Sequence, residues 1–203
     1  MPTGVAMRDA RQQLFDAAER VLVRDGLSGL TSRAVTAEAG CAKGVLHRHF
    51  SDFDDFLTEL VLDRIARVDR QAEALRRAAG SGSVAGNLTE ALIELFGPVA
   101  EAIVGLVVSR DGLRARLRQG GSAGVPVLTE GAAMIAGYLV AERELGRVTA
   151  DADVDTLAPT LIGATHLLYA GTKGTPVDAG AVHRVVMAVI SRSVPDPAPA
   201  AGH

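Results

Sequence analysis

The chain has no tryptophan, two tyrosines and five phenylalanines among its 203 residues, so aromatic side chains make up only 3% of it. That scarcity excludes a core built on stacked rings. It leaves Leu, Val, Ile and Ala, the bulk of a 48% hydrophobic share, to fill the interior. Apolar content this high excludes a disordered chain. A single cysteine, Cys41, excludes an intrachain disulfide and suits a reducing compartment. Excess charge of one sign is also missing: 21 basic against 24 acidic residues give a net charge of −3, which excludes a uniformly basic surface. Residues 1–9 lack the apolar run of a signal peptide. The longest apolar stretch, 91–108, is broken by Glu94, Glu101 and Gly97-Pro98. It therefore suits a buried pair of amphipathic helices better than a membrane span. The expectation is a cytoplasmic protein with no membrane partner.

What is present is helical periodicity, with no strand alternation and no internal repeat. Leu14, Ala17, Ala18, Val21 and Leu22 fall on one face of a helix over 8–25, which Gly26 ends. Thr31 stands at an N-cap position before a two-turn helix at 32–39, closed by Gly40, and a third short helix at 43–50 follows almost at once. A long helix runs from 52 to about 79 with Phe56, Leu57, Leu60, Val61, Ile65 and Val68 as its stripe, before the break Gly80-Ser81-Gly82-Ser83. Beyond it, helices at 84–96 and 99–108 flank Gly97-Pro98, where proline stops or kinks the chain. A short helix near 112–118 leads to a glycine loop at 120–124. Further helices are expected from Pro126 to about 145, over 153–169 and over 178–193. The fold class is all-α, with about nine helices. It divides into a head at 1–51, a body at 52–194 and a disordered Pro- and Ala-rich tail at 195–203.

The head carries the chemistry. Residues 1–50 hold seven Lys and Arg against five Asp and Glu, whereas the remainder holds 14 against 19. A mildly basic head on an acidic body suits a protein that points one end at phosphate. Two helices this short are unstable alone. They make sense if Leu30, Val35 and Ala39 lock against Val45, Leu46 and Phe50 over the first helix. A turn at Gly40 then presents the second short helix outward, in a helix-turn-helix arrangement. Lys43, His47, Arg48 and His49 place donors on that outer face, Gly44 admits a close phosphate, and Thr31, Ser32 and Arg33 offer hydroxyls and a guanidinium. Together with Val45 these are the candidate DNA-binding residues. Partner helices that read a duplex this way imply double-stranded operator DNA.

The stretch from Leu30 to Phe50 resembles the signature of the tetracycline-repressor (TetR) family. The likeness lies in the hydroxyl pair Thr31-Ser32, the small residues around Gly40, the Lys43-Gly44 start and the closing Phe50; with the first helix it extends to residues 8–62. Three positions depart from the family pattern: His47 stands where Tyr is usual, Ala42 where Ser is, and Phe53 where a phosphate-holding Lys is. The last change, amid Asp52, Asp54 and Asp55, predicts weaker and less salt-dependent DNA binding than is typical.

The resemblance implies a homodimer that binds a palindromic operator as a repressor and is released by a small-molecule effector. The last two helices would pair with their copies through Val154, Leu157, Leu161, Leu168, Val182, Val185, Val186, Val189 and Ile190, with Gly163 and Ala164 allowing close approach. It also implies a ligand pocket in the body, for which Phe96, Ile103, Met134, Tyr138 and Tyr169 are apolar candidates and Arg110 and His166 polar ones. So few aromatics suggest an aliphatic or modest-sized ligand. No nucleophile–base pair, paired catalytic carboxylates or phosphate-binding glycine loop is recognisable, and His47 and His49, two apart on a helix, face different ways and do not share a metal. No enzyme activity, metal or cofactor is expected. The rival readings are a ligand-independent regulator or an activator, and a helical small-molecule-binding protein or enzyme with a vestigial head.

Overall fold

A computed structural model of the chain describes residues 3–42, 44–171 and 177–194, with side chains from Ala10 onward. Among the described residues there are ten α-helices and no strand: α1 (Thr3–Gly29), α2 (Ser32–Glu38), α3 (Gly44–His49), α4 (Phe53–Arg77), α5 (Val84–Leu95), α6 (Pro98–Ser109), α7 (Asp111–Gln119), α8 (Leu128–Glu144), α9 (Val154–Ala170) and α10 (Ala179–Ile190). The all-α class is as expected. The short helix expected near 112–118 is α7, and the described residues hold ten helices where about nine were expected. The tail at 195–203 lies outside the described residues.

The helices form two compact units, one of Met1–Arg67 with Gly97–Val127 and the other of Val68–Phe96 with Leu128–His203. By packing, α6 and α7 group with the head, and α4 gives its first half to one unit and its second half to the other. A cut after residue 51 is a proposal about where the DNA-reading motif ends.

In the first unit, α1 is broken at Gly26, whose φ of 69° only glycine adopts without strain. The break falls where periodicity ended the helix, and the chain continues as a short turn to Gly29. Leu14, Phe15, Ala17, Ala18, Val21 and Leu22 of α1 are buried with Leu30, Val35, Leu46, Phe50, Phe56, Leu57, Leu60 and Val61. Burial of each large member stabilises the fold by about 1.5–3 kcal/mol. Phe50 meets Phe56 edge-on at 5.0 Å between ring centroids, and Phe15 lies 5.8 Å from Phe50. Four of the five phenylalanines, Phe15, Phe50, Phe53 and Phe56, thus cluster behind the two short helices and anchor them to α1 and α4.

The second unit is built from α5, α8, α9 and α10. Leu88, Leu92 and Leu95 of α5 are buried with Ile135, Tyr138 and Leu139 of α8, Ala158, Leu161 and Ile162 of α9, and Val182, Val186 and Ile190 of α10. α8 begins at Leu128, after Val127 takes a φ of 74°, the only non-glycine residue in the left-handed region among those described. Pro126 therefore precedes the helix without starting it. No single helix among the described residues is long and apolar enough to cross a membrane.

Candidate nucleic-acid interface

The turn between α2 and α3 is closed by backbone bonding. The Thr31 hydroxyl accepts the Ala34 N–H at 3.1 Å, capping α2 as its sequence position implies. At the other end Gly40 takes a φ of 65°, which lets its own N–H reach Ala37 O at 3.1 Å and the Cys41 N–H reach Thr36 O at 3.0 Å. These bonds satisfy the last carbonyls of α2 and reverse the chain within three residues. The Thr36 hydroxyl donates to Ser32 O at 2.9 Å and so takes no part in the outer face.

The buried side of this hairpin is Leu30, Val35, Leu46 and Phe50. Its outer side exposes Thr31, Arg33, Gly44, His47 and Arg48, while Ser32, Val45 and His49 are half-buried. The His49 ring lies 6.4 Å from Phe50, at the edge of the aromatic cluster. Lys43 lies outside the described residues. A Cβ added at Gly44 would meet nothing within 4 Å, so packing inside the chain does not demand glycine there. The Thr31 hydroxyl, though it accepts a cap bond, keeps its proton to donate outward.

The arginines divide by what they do. On α1, Arg11 pairs with Glu59 at 2.8 Å and lies over the Phe50 ring at 4.8 Å. Arg20 and Arg24 both reach Glu38 of α2, at 2.8 and 2.7 Å. The Arg24 hydrogen bond, followed by that of Arg20, holds the Glu38 carboxyl below its ordinary range. These pairs fix α1 to α2 and α4. Arg33 and Arg48 make no ion pair or side-chain hydrogen bond among the described residues, and both are exposed.

The three aspartates after α3 are each engaged. Asp55 accepts the Ser51 N–H at 2.9 Å. Asp52 caps α4 through the Asp55 N–H at 2.6 Å and faces the guanidinium of Arg116 at 3.2 Å. Asp54 faces Arg110 at 3.7 Å. The backbone bond from Asp55, then Arg116, keeps the Asp52 carboxyl below its usual range. Phe53 turns inward and stacks on Phe56 at 5.6 Å. Arg110, an expected polar pocket residue, belongs to the first unit and pairs there with an acid of α4. The sequence offered no signal for either pairing, because the partners lie more than fifty residues apart.

In the second unit a cleft of about 170 Å³ is lined by Asp69, Ala72 and Arg76 of α4 and by Glu130, Ala133, Met134, Gly137 and Tyr138 of α8. Of the seven expected pocket residues only Met134 and Tyr138 line it. Phe96, His166 and Tyr169 cluster elsewhere in this unit, Phe96 stacking on Tyr169 at 5.7 Å and lying 6.0 Å from His166, because the buried Phe96 needs an apolar neighbour. Ile103 is buried in the first unit. Below the cleft Tyr138 donates to the fully buried Glu142, which also accepts the Gly80 N–H at 3.3 Å and faces Arg147 at 3.3 Å. Asn87 donates to the Tyr138 hydroxyl at 2.9 Å. Burial, then the bond to Glu142, raises the Tyr138 pKa above its usual value.

The expected dimer face needs correction as well. Val154, Leu161, Val182, Val186 and Ile190 are buried inside the chain, where they join α9 and α10 to α5 and α8. Leu157, Leu168, Val185 and Val189 are half-buried. The outward stripe of α9 is Thr156, Pro159, Thr160, Gly163 and Leu167, and that of α10 includes His183, Met187 and Ala188. Leu167 is 73% exposed, the most of any large apolar residue described.

Residues 14–60 match the family described as "Bacterial regulatory proteins, tetR family". A comparison with curated proteins gives no match. Among solved structures, a transcriptional regulator from Rhodococcus sp. Rha1 is similar at 17% identity and a TM-score of 0.69, covering 92% of this chain and 99% of that one. A TetR-family member from Streptomyces coelicolor A3 matches at 23% identity and a TM-score of 0.62, covering 89% and 98%. The regulator FadR from Bacillus subtilis, solved with stearoyl-CoA, matches at 15% identity and a TM-score of 0.65, covering 89% and 97%. The fold is shared across nearly the whole of each chain.

Proposed function

Given that the chain belongs to the tetR family of bacterial regulatory proteins through residues 14–60, we propose that it acts as a homodimeric transcriptional repressor, freed from a palindromic operator by a small molecule. One observation carries the reading: the turn at Gly40 presents Arg48 and His47 outward on α3, with Arg33 nearby on α2, and neither arginine is spent on another side chain. Unengaged cations on a short exposed helix suit base edges and phosphates of a major groove. Gly44 and the Thr31 proton add phosphate contacts, and Ser32, Lys43, Val45 and His49 complete the contact set.

Two copies are needed to read a palindrome, and the exposed stripe of Gly163, Leu167 and Met187 supports their pairing through α9 and α10. Small residues there admit close helix approach, with Leu167 as the apolar knob. The two recognition helices would meet successive major grooves about 34 Å apart. Effector binding would act through α4, an uninterrupted helix whose second half lines the cleft. A coupling of about 1–3 kcal/mol weakens operator affinity roughly 5- to 150-fold.

The cleft is smaller than the roughly 300–1,000 Å³ of pockets that take drug-sized ligands. It suits a small effector, and Asp69, Arg76 and Glu130 at its wall favour one with polar groups. The same small size favours, as a second reading, a regulator without effector. Selection of bound fragments from random duplex DNA tests the proposal: a palindrome is expected, and no enrichment overturns it. Operator affinity unmoved by a panel of small metabolites would select the second reading.

A further inference from the structure

An exposed acidic run beside a DNA-reading helix is an electrostatic problem. Asp52 follows the last residue of α3 by three positions, so its Cα is within roughly 11 Å of that of His49. That span is about one major-groove width, so the first turn of α4 stands where the phosphates flanking an engaged groove would run. Unanswered, Asp52, Asp54 and Asp55 would repel them.

The residues that answer come from a distant part of the sequence. Residues 1–67 hold nine basic and ten acidic side chains, whereas 97–127, in the same unit, hold four arginines against Glu101 and Asp111. The excess of positive charge in this unit therefore arrives with α6 and α7. Arg116 grips Asp52 with two nitrogens, at 3.2 and 3.4 Å from its two oxygens, and Arg110 faces Asp54 at 3.7 Å. Neither guanidinium is used up: each has five N–H donors, and the Arg116 and Arg110 side chains remain 43% and 36% exposed. Arg114, by contrast, is turned back onto Val108 O and Asp111. We infer that Arg116, assisted by Arg110, forms a second DNA-contacting element, in which α7 delivers cations across the first turn of α4 to the phosphate backbone beside the recognition helix. Each aspartate takes up part of a guanidinium's hydrogen bonding, and the spare donors meet the phosphates.

The inference rests on the DNA-binding reading, and its test separates the two. Affinity of the full chain for mixed-sequence duplex DNA would be measured between about 50 and 200 mM salt for wild type, Arg116→Ala, Arg116→Lys and Asp52→Asn, with thermal melting of each. Arg116→Ala is expected to lower the slope of log affinity against log salt by about 1, equally on all sequences, while Arg116→Lys keeps the wild-type slope. Asp52→Asn retains the cap on α4, releases Arg116 and tightens binding, by more in the wild-type background than with Arg116→Ala. A wild-type slope in Arg116→Ala, or a loss of affinity that only follows a lowered melting temperature, overturns the inference while the regulator reading stands. Wild-type protein that ignores DNA throughout overturns both.

Discussion

Arg67 of α4 reaches Glu19 of α1 at 3.4 Å, and Glu19 is only 8% exposed. Arg67 also faces Asp63 at 2.9 Å and Asp16 at 3.5 Å, so one cation serves three carboxylates in the wall of the head. Burial outweighs the attraction and raises the Glu19 pKa above the ordinary 4.5. An acid whose folded-state pKa is raised holds its proton more tightly folded than unfolded, so stability falls as pH rises from 4.5 through the raised value. Asp25, Glu38 and Asp52 behave oppositely: held low by Arg24, by Arg24 with Arg20, and by the Asp55 N–H with Arg116, they lose their contribution as pH falls below the usual carboxylate range. Thermal melting is therefore expected to fall off in both directions, with rising pH from 4.5 through the Glu19 titration and with falling pH below the usual carboxylate range, and Glu19→Gln should remove the first decline. Arg67→Ala removes the larger of the two attractions that oppose the burial of Glu19, the other coming from Arg64, and should destabilise the chain by about 0.5–3 kcal/mol. A flat profile in wild type would refute this account of Glu19.

The α9 helix separates fold from assembly by face. Leu161 is fully buried within the chain and Leu167 is 73% exposed. Leu161→Glu would bury a charge in the core and should destabilise the chain by at least about 3 kcal/mol, visible as a lowered melting temperature. Leu167→Glu should leave the monomer folded and break the proposed dimer, visible in sedimentation velocity. If Leu167→Glu sediments as wild type does, the interface lies on another face.

The head was legible because local rules decide it. A threonine cap, a glycine forced to positive φ and a fixed spacing of apolar residues leave the α2–α3 hairpin few alternatives, and Thr31 and Gly40 act as those rules require. The body was legible in element type but not in face. Val182 and Val186 read as an interface because an apolar stripe on a helix does not say whether its partner is the same chain or another copy. The residues that do face outward on α9 and α10 set Leu167 and Met187 among small and polar ones such as Gly163, Thr160 and His183, so they form no continuous apolar stripe. Arg110 and Arg116 were beyond reach for a different reason: their acids are 56 and 64 positions away, and no local pattern links them.

Close packing in the second unit depends on one glycine. A Cβ at Gly131 of α8 would stand 2.7 Å from Leu95 Cδ2 and 3.1 Å from Ile162 Cδ1, where α8 meets α5 and α9. Both contacts are the ends of flexible side chains, so Gly131→Ala should be nearly neutral, its steric cost offset by about 1 kcal/mol of helix propensity. Gly131→Val adds two methyls to the same space and should destabilise by about 1–3 kcal/mol. Chemical denaturation of the two variants distinguishes the outcomes; equal stability would mean that α8 shifts freely against its neighbours.

Arg48 provides the sharpest check on base reading. It lies in the last turn of α3, exposed and with no ion pair or side-chain hydrogen bond among the described residues, whereas Arg11, Arg20 and Arg24 of α1 are all tied to carboxylates. Removing a side chain with no intramolecular partner should leave the melting temperature of the head unchanged. Arg48→Ala should then weaken binding to the selected operator by about 1–3 kcal/mol while relaxing sequence preference at one position of each half-site. A phosphate contact would give another pattern, a uniform loss on all sequences with a shallower salt dependence. Binding arrays of single-base operator variants separate the two, and full wild-type selectivity in Arg48→Ala would remove α3 from the role of recognition helix through this residue.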